Sequence, residues 1–238
     1  MTARDTTVRN PPRYDDDYFR VQREKSAEKV SWEYIRLLAM GGVRLPTDAV
    51  VLDAACGAAP GLRFFDRDHR AALVIGLDVA SAALRAARQM LPHAQLVQAD
   101  LDRPLPFTDA SFDLIILREA IEHVEDGAAT LAACRRILRP GGCLALTTPN
   151  RWDARRPVFR ITRRVWSGEA DPTHTHIYAP SEMRAVLQQV GFARVCVRTG
   201  FKPMLRVGGN RLPVRVALPY PPLLGNGIVA FGWQGGDR

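Results

Sequence analysis

Apolar residues along this chain fall into short unbroken runs separated by segments with helical spacing. The runs Ala49 to Leu52, Leu73 to Leu77, Gln95 to Gln98, Phe112 to Leu117 and Cys143 to Thr147 are each predicted to be strands. Between them, Ser81 to Met90 and Gly127 to Leu138 set small and aliphatic residues three and four positions apart, which predicts helices with one buried side. Strands apolar on both faces, alternating with helices, imply a parallel sheet covered on both sides. The rhythm lapses over an Arg-rich stretch at 151–180. It resumes with a predicted helix from Ser181 to Val190 and a strand from Ala193 to Arg198. A last apolar run, Gly227 to Trp233, is expected to be a strand that closes the sheet. Upstream, Tyr18 to Met40 reads as a helix carrying Val30, Tyr34, Leu37 and Leu38 on one side, stopped by Gly41 and Gly42. Residues 1–17 read as a loose polar arm.

Composition narrows the class without naming it. The 238 residues are 47% hydrophobic and 24% charged, which excludes collagen-like, disordered and disulfide-scaffold chains. A chain of this length buries roughly 70–75% of its unfolded surface, enough for one core without staples. The expected division is an N-terminal arm and cap helix at 1–44, then one domain at 45–238 with the Arg-rich insertion at 151–180. Cys56, Cys134, Cys143 and Cys196 show neither CxxC pairing nor metal-like spacing, so they are expected as reduced thiols of a cytoplasmic protein. The first residues lack the apolar core of a secretory signal. The one apolar stretch near the length of a membrane span, Val216 to Trp233, is broken by Pro219, Pro221, Pro222, Gly225 and Gly227.

Charge is distributed unevenly. Residues 1–150 carry 19 Lys+Arg against 20 Asp+Glu, whereas 151–236 carry 13 basic and 4 acidic side chains, a net of +9. A solvated face and an attraction to phosphate both account for that excess. Its arginines lack the tight clustering and interleaved aromatics that nucleic-acid sites favour.

Candidate chemistry gathers where strands end, which is where open α/β sheets bind ligands. The first strand runs into Asp53-Ala54-Ala55-Cys56-Gly57-Ala58-Ala59-Pro60-Gly61, a turn of small residues that lets backbone approach a ligand closely. It lacks the GxGxxG of a dinucleotide site. The second strand ends in Gly76-Leu77-Asp78-Val79, and a carboxylate there suits the two hydroxyls of a ribose. The third ends in Ala99-Asp100-Leu101. Any one acid at a strand end is commonplace; Asp53, Asp78 and Asp100 on successive strands form a pattern.

These motifs together resemble the class I S-adenosylmethionine-dependent methyltransferases, over about residues 45–200. The resemblance implies a Rossmann-like, doubly wound α/β sheet of seven strands, mostly parallel with one antiparallel strand, and helices on both faces. It also implies a cofactor, S-adenosyl-L-methionine, held by Asp53, Ala55, Cys56, Gly57, Asp78, Val79, Asp100, Leu101 and Leu117. Two of the glycines usual in that family's first turn are replaced by Ala55 and Ala59. The change at Ala55 reads as mild; Ala59 carries a steric cost of roughly 1 kcal/mol if its φ is positive. Arg139-Pro140-Gly141-Gly142 is read as a structural turn.

After the fourth strand comes Arg118-Glu119-Ala120-Ile121-Glu122-His123, which on a helical turn sets Glu119, Glu122 and His123 on one side. Such a set suits a divalent ion, with a further ligand from His174 or His176. The competing reading leaves Glu122 and Asp126 solvated and His123 a packed residue or a metal-free base. The stretch is similar to that of ubiquinone-pathway O-methyltransferases and of small-RNA terminal 2′-O-methyltransferases. That similarity implies Glu119, Glu122, His123 and His174 as ligands of an ion such as Mg2+; a histidine that titrates near neutral pH also makes His123 the expected catalytic base without an ion. The acceptor expected from these features is a small or lipid-like molecule methylated on oxygen. Two alternatives stand beside it: an RNA acceptor held by the basic last third, and a non-catalytic cofactor-binding protein. Tyr14, Tyr18, Phe19, Trp32, Trp152, Phe159, Trp166 and Tyr178 are expected either to line an acceptor pocket or to pack a lid. The Pro-rich tail from Leu218 to Leu224 suits at most peripheral membrane contact.

Overall fold

Seven strands build the sheet that the runs of apolar residues predict. The computed structural model describes residues 37–68, 71–162, 166, 169, 171–200, 205–207, 214–216 and 225–236. The helix expected from Tyr18 therefore enters only at its end, where 37–41 are helical, and the aromatics Tyr14 to Trp32 and the tail Leu218 to Leu224 lie outside the described residues. In chain order the elements are β1 (Ala49–Ala54), α1 (Pro60–Asp68), β2 (Ala71–Asp78), α2 (Ser81–Met90), β3 (Gln95–Gln98) and β4 (Phe112–Arg118). A 3-10 turn (Ile121–His123) follows, then α3 (Gly127–Ile137), β5 (Leu138–Pro149), α4 (Arg156–Ile161), α5 (Pro180–Gln189) and β6 (Arg194–Gly200). The chain continues through β7 (Leu205–Val207), β8 (Val214–Val216) and β9 (Gly227–Trp233), of which β7 and β8 pair as a separate antiparallel ribbon.

The main sheet has the order β3-β2-β1-β4-β5-β9-β6. Pairings from β3 through β5 are parallel, and β9 runs antiparallel to both its neighbours. β1 leads outward to β2 and β3 on one side, and β4 starts the other half. The switch point lies between β1 and β4, and open sheets of this kind bind ligands beyond the carboxyl ends of the strands there.

Alternation within each apolar run explains why both faces are dry. Leu52, Ala54, Ile115, Leu117, Leu144 and Leu146 face one side, where Leu131, Cys134 and Ile137 of α3 and Met183 and Leu187 of α5 cover them. Val51, Leu114, Ile116, Cys143, Ala145 and Phe231 face the other, against Leu37, Phe64 and Phe65. Each leucine or isoleucine so buried contributes roughly 1.5–3 kcal/mol. The Arg139-Pro140-Gly141-Gly142 turn interrupts the β4–β5 register between Phe112 and Leu114.

The expectation for Gly227–Trp233 needs correcting. β9 does not close the sheet; it inserts between β5 and β6, leaving β6 at the edge. Burial explains the order. Five consecutive residues of β9, Ile228 to Gly232, are buried, as a strand covered on both faces requires, whereas β6 exposes Arg194 and Arg198 as an edge tolerates.

The Arg-rich insertion is built by its own ion pairs. Asp153 is buried and takes Arg155 at 2.6 Å, while Trp166 Nε1–H donates to the same carboxylate at 2.8 Å. Arg156 pairs with Glu169 at 2.6 Å and lies over the Trp166 ring, and Arg151 pairs with Glu182 at 2.9 Å. Trp166 and Tyr178 are buried as packing residues; Trp152 remains 41% exposed.

Candidate functional site

β1 delivers the first half of the site. Its register with β2 pairs Asp53 with Gly76 and Ala54 with Leu77. Beyond the strand, Cys56 N–H donates to the Leu77 carbonyl at 2.9 Å and Gly57 N–H to Asp78 Oδ2 at 2.8 Å, tying the turn to the end of β2. Gly76 permits that closeness: a Cβ there would stand 2.7 Å from Leu62 Cδ1 and 2.9 Å from Cys56 Sγ. The turn itself is left-handed at three positions, Ala55 (φ 65°), Gly57 (φ 55°) and Ala59 (φ 62°). Ala55 is therefore no milder a replacement than Ala59. Both alanines occupy backbone that favours glycine, at roughly 1 kcal/mol each.

Asp78 closes this half. It is 8% exposed, and its Oδ1 accepts the Ala80 N–H at 2.9 Å while Oδ2 holds Gly57. Burial raises its carboxyl above the ordinary range, against the pull of the backbone donors at Ala80, Gly57 and Val79. With three backbone donors on a group that can accept about four, the carboxylate retains capacity for an external donor. Gln98 Nε2 donates to the Val79 carbonyl at 3.0 Å, and Asp100 Oδ1 accepts the Asp102 N–H at 3.0 Å, so β3 adds its acid beside the same edge. Asp53 is buried at the start of the turn. Cys56 is buried as well, and burial, followed by the charges of Asp53 and Asp78, pushes its thiol well up, so it is no nucleophile.

β4 delivers the second half, one strand away across the switch point. Ala54 pairs with the fully buried Leu117. Glu119 then turns left-handed (φ 49°) and its N–H donates to the Thr147 carbonyl at 2.8 Å. This breaks the single helical turn expected for 119–123: only Ile121–His123 is helical, and Glu119 sits before it, exposed. Non-glycine residues in left-handed backbone concentrate at functional sites.

Glu122 departs from the solvated reading, whereas Asp126 keeps to it. Glu122 is 1% exposed, and its Oε2 accepts from Thr148 Oγ1 at 3.0 Å. Burial foremost, then the neighbouring Glu119 charge, pushes its carboxyl up to about 8. Asp126 is exposed and caps α3 by accepting the Ala129 N–H at 2.9 Å.

The insertion brings the histidines. Thr175 N–H donates to the Glu122 carbonyl at 2.8 Å, which pins 171–176 against the 3-10 turn. His123 and His174 then lie with ring centroids 4.7 Å apart. One ligand atom each from Glu122, His123 and His174 falls within 4.8 Å of the others. Glu119 is outside that trio, and so is His176, whose Nε2 meets Glu182 Oε1 at 2.7 Å. Burial, then the adjacent His174, lowers the His123 imidazole below its usual value, which keeps it neutral with a lone pair at physiological pH. Two imidazoles beside one buried carboxyl group have the chemistry of a base or of a divalent-ion ligand set.

Several participants carry little signal in the sequence. Thr148 is legible only through strand alternation, which sets it on the face of Leu144 and Leu146. Thr173 and Asp171, which contact or approach His123, sit in an irregular segment without periodicity. Thr147 Oγ1 is buried at the end of β5 with no hydrogen-bond partner among the described residues.

Comparison with known proteins agrees with this fold. Residues 52–146 match the family described as methyltransferase domain. A protein of Mycobacterium tuberculosis named as a probable S-adenosylmethionine-dependent methyltransferase is 30% identical over 191 residues, covering 76% of this chain and 66% of that protein. A ubiquinone biosynthesis O-methyltransferase of Albidiferax ferrireducens is 31% identical over 149 residues, covering 59% of this chain and 58% of its own. The chain thus spans between about half and two thirds of the length of the curated relatives it matches. A chain from the complex between the Haloferax volcanii Trm112 methyltransferase activator and a methyltransferase shares the fold, with a TM-score of 0.67 and 19% identity over 96% of this chain and 100% of that one. The chain belongs to the S-adenosylmethionine-dependent methyltransferases.

Proposed function

We propose that this protein transfers a methyl group from S-adenosyl-L-methionine to an oxygen of a small or lipid-like acceptor. The observation that carries the reading is the placement of the Asp78 carboxylate and the Glu122–His123–His174 trio on one edge of the sheet, either side of the β1–β4 switch point. The residues fit the cofactor: the turn at Ala55–Ala59 presents backbone without large side chains, and Asp78 is a buried acceptor held by backbone donors. When bound, the cofactor supplies a methyl already activated on a sulfonium.

The chain's own task is then to hold, orient and deprotonate. Asp78, with Val79, is assigned to the ribose hydroxyls, Asp100 and Leu101 to the adenine, and Asp53, Ala55, Cys56, Gly57 and Leu117 to the methionine end. His123 takes the acceptor's proton on its neutral ring nitrogen. Alignment and exclusion of water account for most of the remaining acceleration in transfers of this kind.

Glu122, His123 and His174 also fit a divalent ion, which would lower the acceptor hydroxyl's pKa beside them. Two imidazoles favour a borderline ion such as iron or zinc over the all-oxygen surroundings that Mg2+ prefers. The ubiquinone-pathway name of one relative supports an oxygen acceptor.

Labelled cofactor incubated with metabolite, lipid and RNA extracts tests the reading. Label in a small or lipid-soluble product, lost with His123→Ala, supports it. Chelator-insensitive turnover removes the ion and leaves His123 as a base. Label in RNA, or none with the cofactor still bound, overturns it.

A further inference from the structure

The mechanism above needs a His123 nitrogen with a free lone pair aimed at acceptor or ion, and an imidazole has two nitrogens. Which one carries the proton is set by what each touches. Nδ1 of His123 lies 2.9 Å from Thr173 Oγ1 and 3.3 Å from the Thr173 carbonyl oxygen. Thr173 Oγ1 has a single proton, and it donates that proton to Asp171 Oδ1 at 2.7 Å. The same Oδ1 accepts the Thr173 N–H at 3.0 Å, so the carboxylate holds both polar ends of the threonine.

With its proton spent on Asp171, the hydroxyl faces Nδ1 as an acceptor. The carbonyl can only accept. Both contacts therefore demand a donor at Nδ1, and they demand it independently.

We propose that Asp171 and Thr173 are positioning residues that hold His123 in the Nδ1–H tautomer and leave Nε2 as its working atom. The relay runs from Asp171 through the Thr173 hydroxyl to the ring. It deepens the reading of His123 as base or ligand and rests on that reading for its purpose, although the tautomer itself exists whether or not a methyl is transferred. A partner that fixes the far nitrogen of a working histidine is a general requirement of both catalytic and metal-bound imidazoles. The relay also explains why the insertion must be stapled to the 3-10 turn by Thr175: without the bonds from Thr175 to the Glu122 and Val124 carbonyls, Thr173 would have no fixed distance to the ring.

The test is direct detection of imidazole nitrogens by 15N NMR on the full chain, with chelator present and above the titration of its five histidines. The expected wild-type result is a His123 signal pair with the proton on Nδ1. Thr173→Val keeps the branched shape and removes the hydroxyl, and is expected to raise the Nε2–H population at least threefold; Thr173→Ser is expected to restore the wild-type pattern. Asp171→Ala, which removes the acceptor for the hydroxyl, is expected to shift the population in the same direction as Thr173→Val. A wild-type His123 protonated on Nε2 overturns the proposal without requiring any variant to fold. So does a Thr173→Val spectrum identical to wild type. Because no cofactor is added, such a failure leaves the methyltransferase reading standing, whereas loss of cofactor binding with the tautomer intact would do the reverse.

Discussion

Glu122 shows how one buried side chain turns into a measurable pH dependence. Its carboxyl is pushed up to about 8 from an ordinary value of 4.5, first by burial and then by Glu119. Between those values the folded chain keeps a proton that the unfolded chain has released, so stability falls with rising pH across that window. The contribution of the neutral acid is complete below about 4.5 and gone above about 8. Glu122→Gln keeps an acceptor for Thr148 and removes the titration. In chelator, its unfolding free energy is expected to exceed that of wild type at alkaline pH, by an amount on the order of a few kcal/mol, and to converge with it near the lower end of the window. A wild-type stability that is flat over this range would contradict the buried placement.

Ala55 and Ala59 yield a prediction of opposite kind. Each holds positive φ at roughly 1 kcal/mol, and glycine would relieve that strain while adding unfolded-state entropy. Ala55→Gly and Ala59→Gly are each expected to be net stabilising by about 0.5 kcal/mol. Denaturant unfolding checks this. A loss on either substitution would show that the backbone is not left-handed there. The sequence revealed that alanines replaced glycines, but which of them required positive φ depends on the turn's closure onto Leu77 and Asp78, a contact between strands that spacing alone does not carry.

At the level of elements, the insertion stands on Asp153. Burial alone would raise this acid, but its bonds from Arg155 and Trp166 outweigh that and hold it below the usual carboxylate range. A lowered carboxyl stabilises the fold above its unfolded value and loses that effect as pH falls through the folded one. Asp153→Ala leaves the Arg155 guanidinium and the Trp166 N–H without their acceptor, and is expected to cost about 2–4 kcal/mol. It is also expected to expose Trp166, seen as a red shift in tryptophan emission. Unchanged stability would mean that the Arg-rich stretch is held by something else. Strands β1 to β4 and helices α2 and α3 were legible because their apolar residues repeat with a clear period. The insertion was not, because its order comes from ion pairs between residues such as Arg156 and Glu169, and no periodicity records them. The place of β9 was half-legible: its strand character showed in the apolar run, yet its position between β5 and β6 follows only from comparing burial on the two strands.

Across the whole molecule, the excess positive charge of the last third loses much of its apparent purpose. Arg151, Arg155 and Arg156, half of the six arginines between 151 and 164, are paired with Glu182, Asp153 and Glu169. Pairs of this kind hold the insertion over the site and subtract from any field offered to phosphate. Among the described residues no helix is long and apolar enough to cross a membrane. The site was legible at its acids, since Asp53, Asp78 and Asp100 stand at strand ends that the apolar runs already located. Its histidine half was legible as residues but not as geometry: the motif offered Glu119, Glu122 and His123 with His174 or His176, and only the fold selects His174 over His176 and leaves Glu119 aside.

Isothermal titration of the wild-type chain and of Asp78→Ala with S-adenosylhomocysteine, the demethylated form of the cofactor, addresses the edge beyond β1 and β2 most directly. Saturable one-to-one binding by wild type, weakened at least a hundredfold by Asp78→Ala in a variant that still unfolds cooperatively, is the result expected. Heat of dilution alone from wild type, or equal affinity in the variant, would contradict the placement of the nucleoside on that carboxylate.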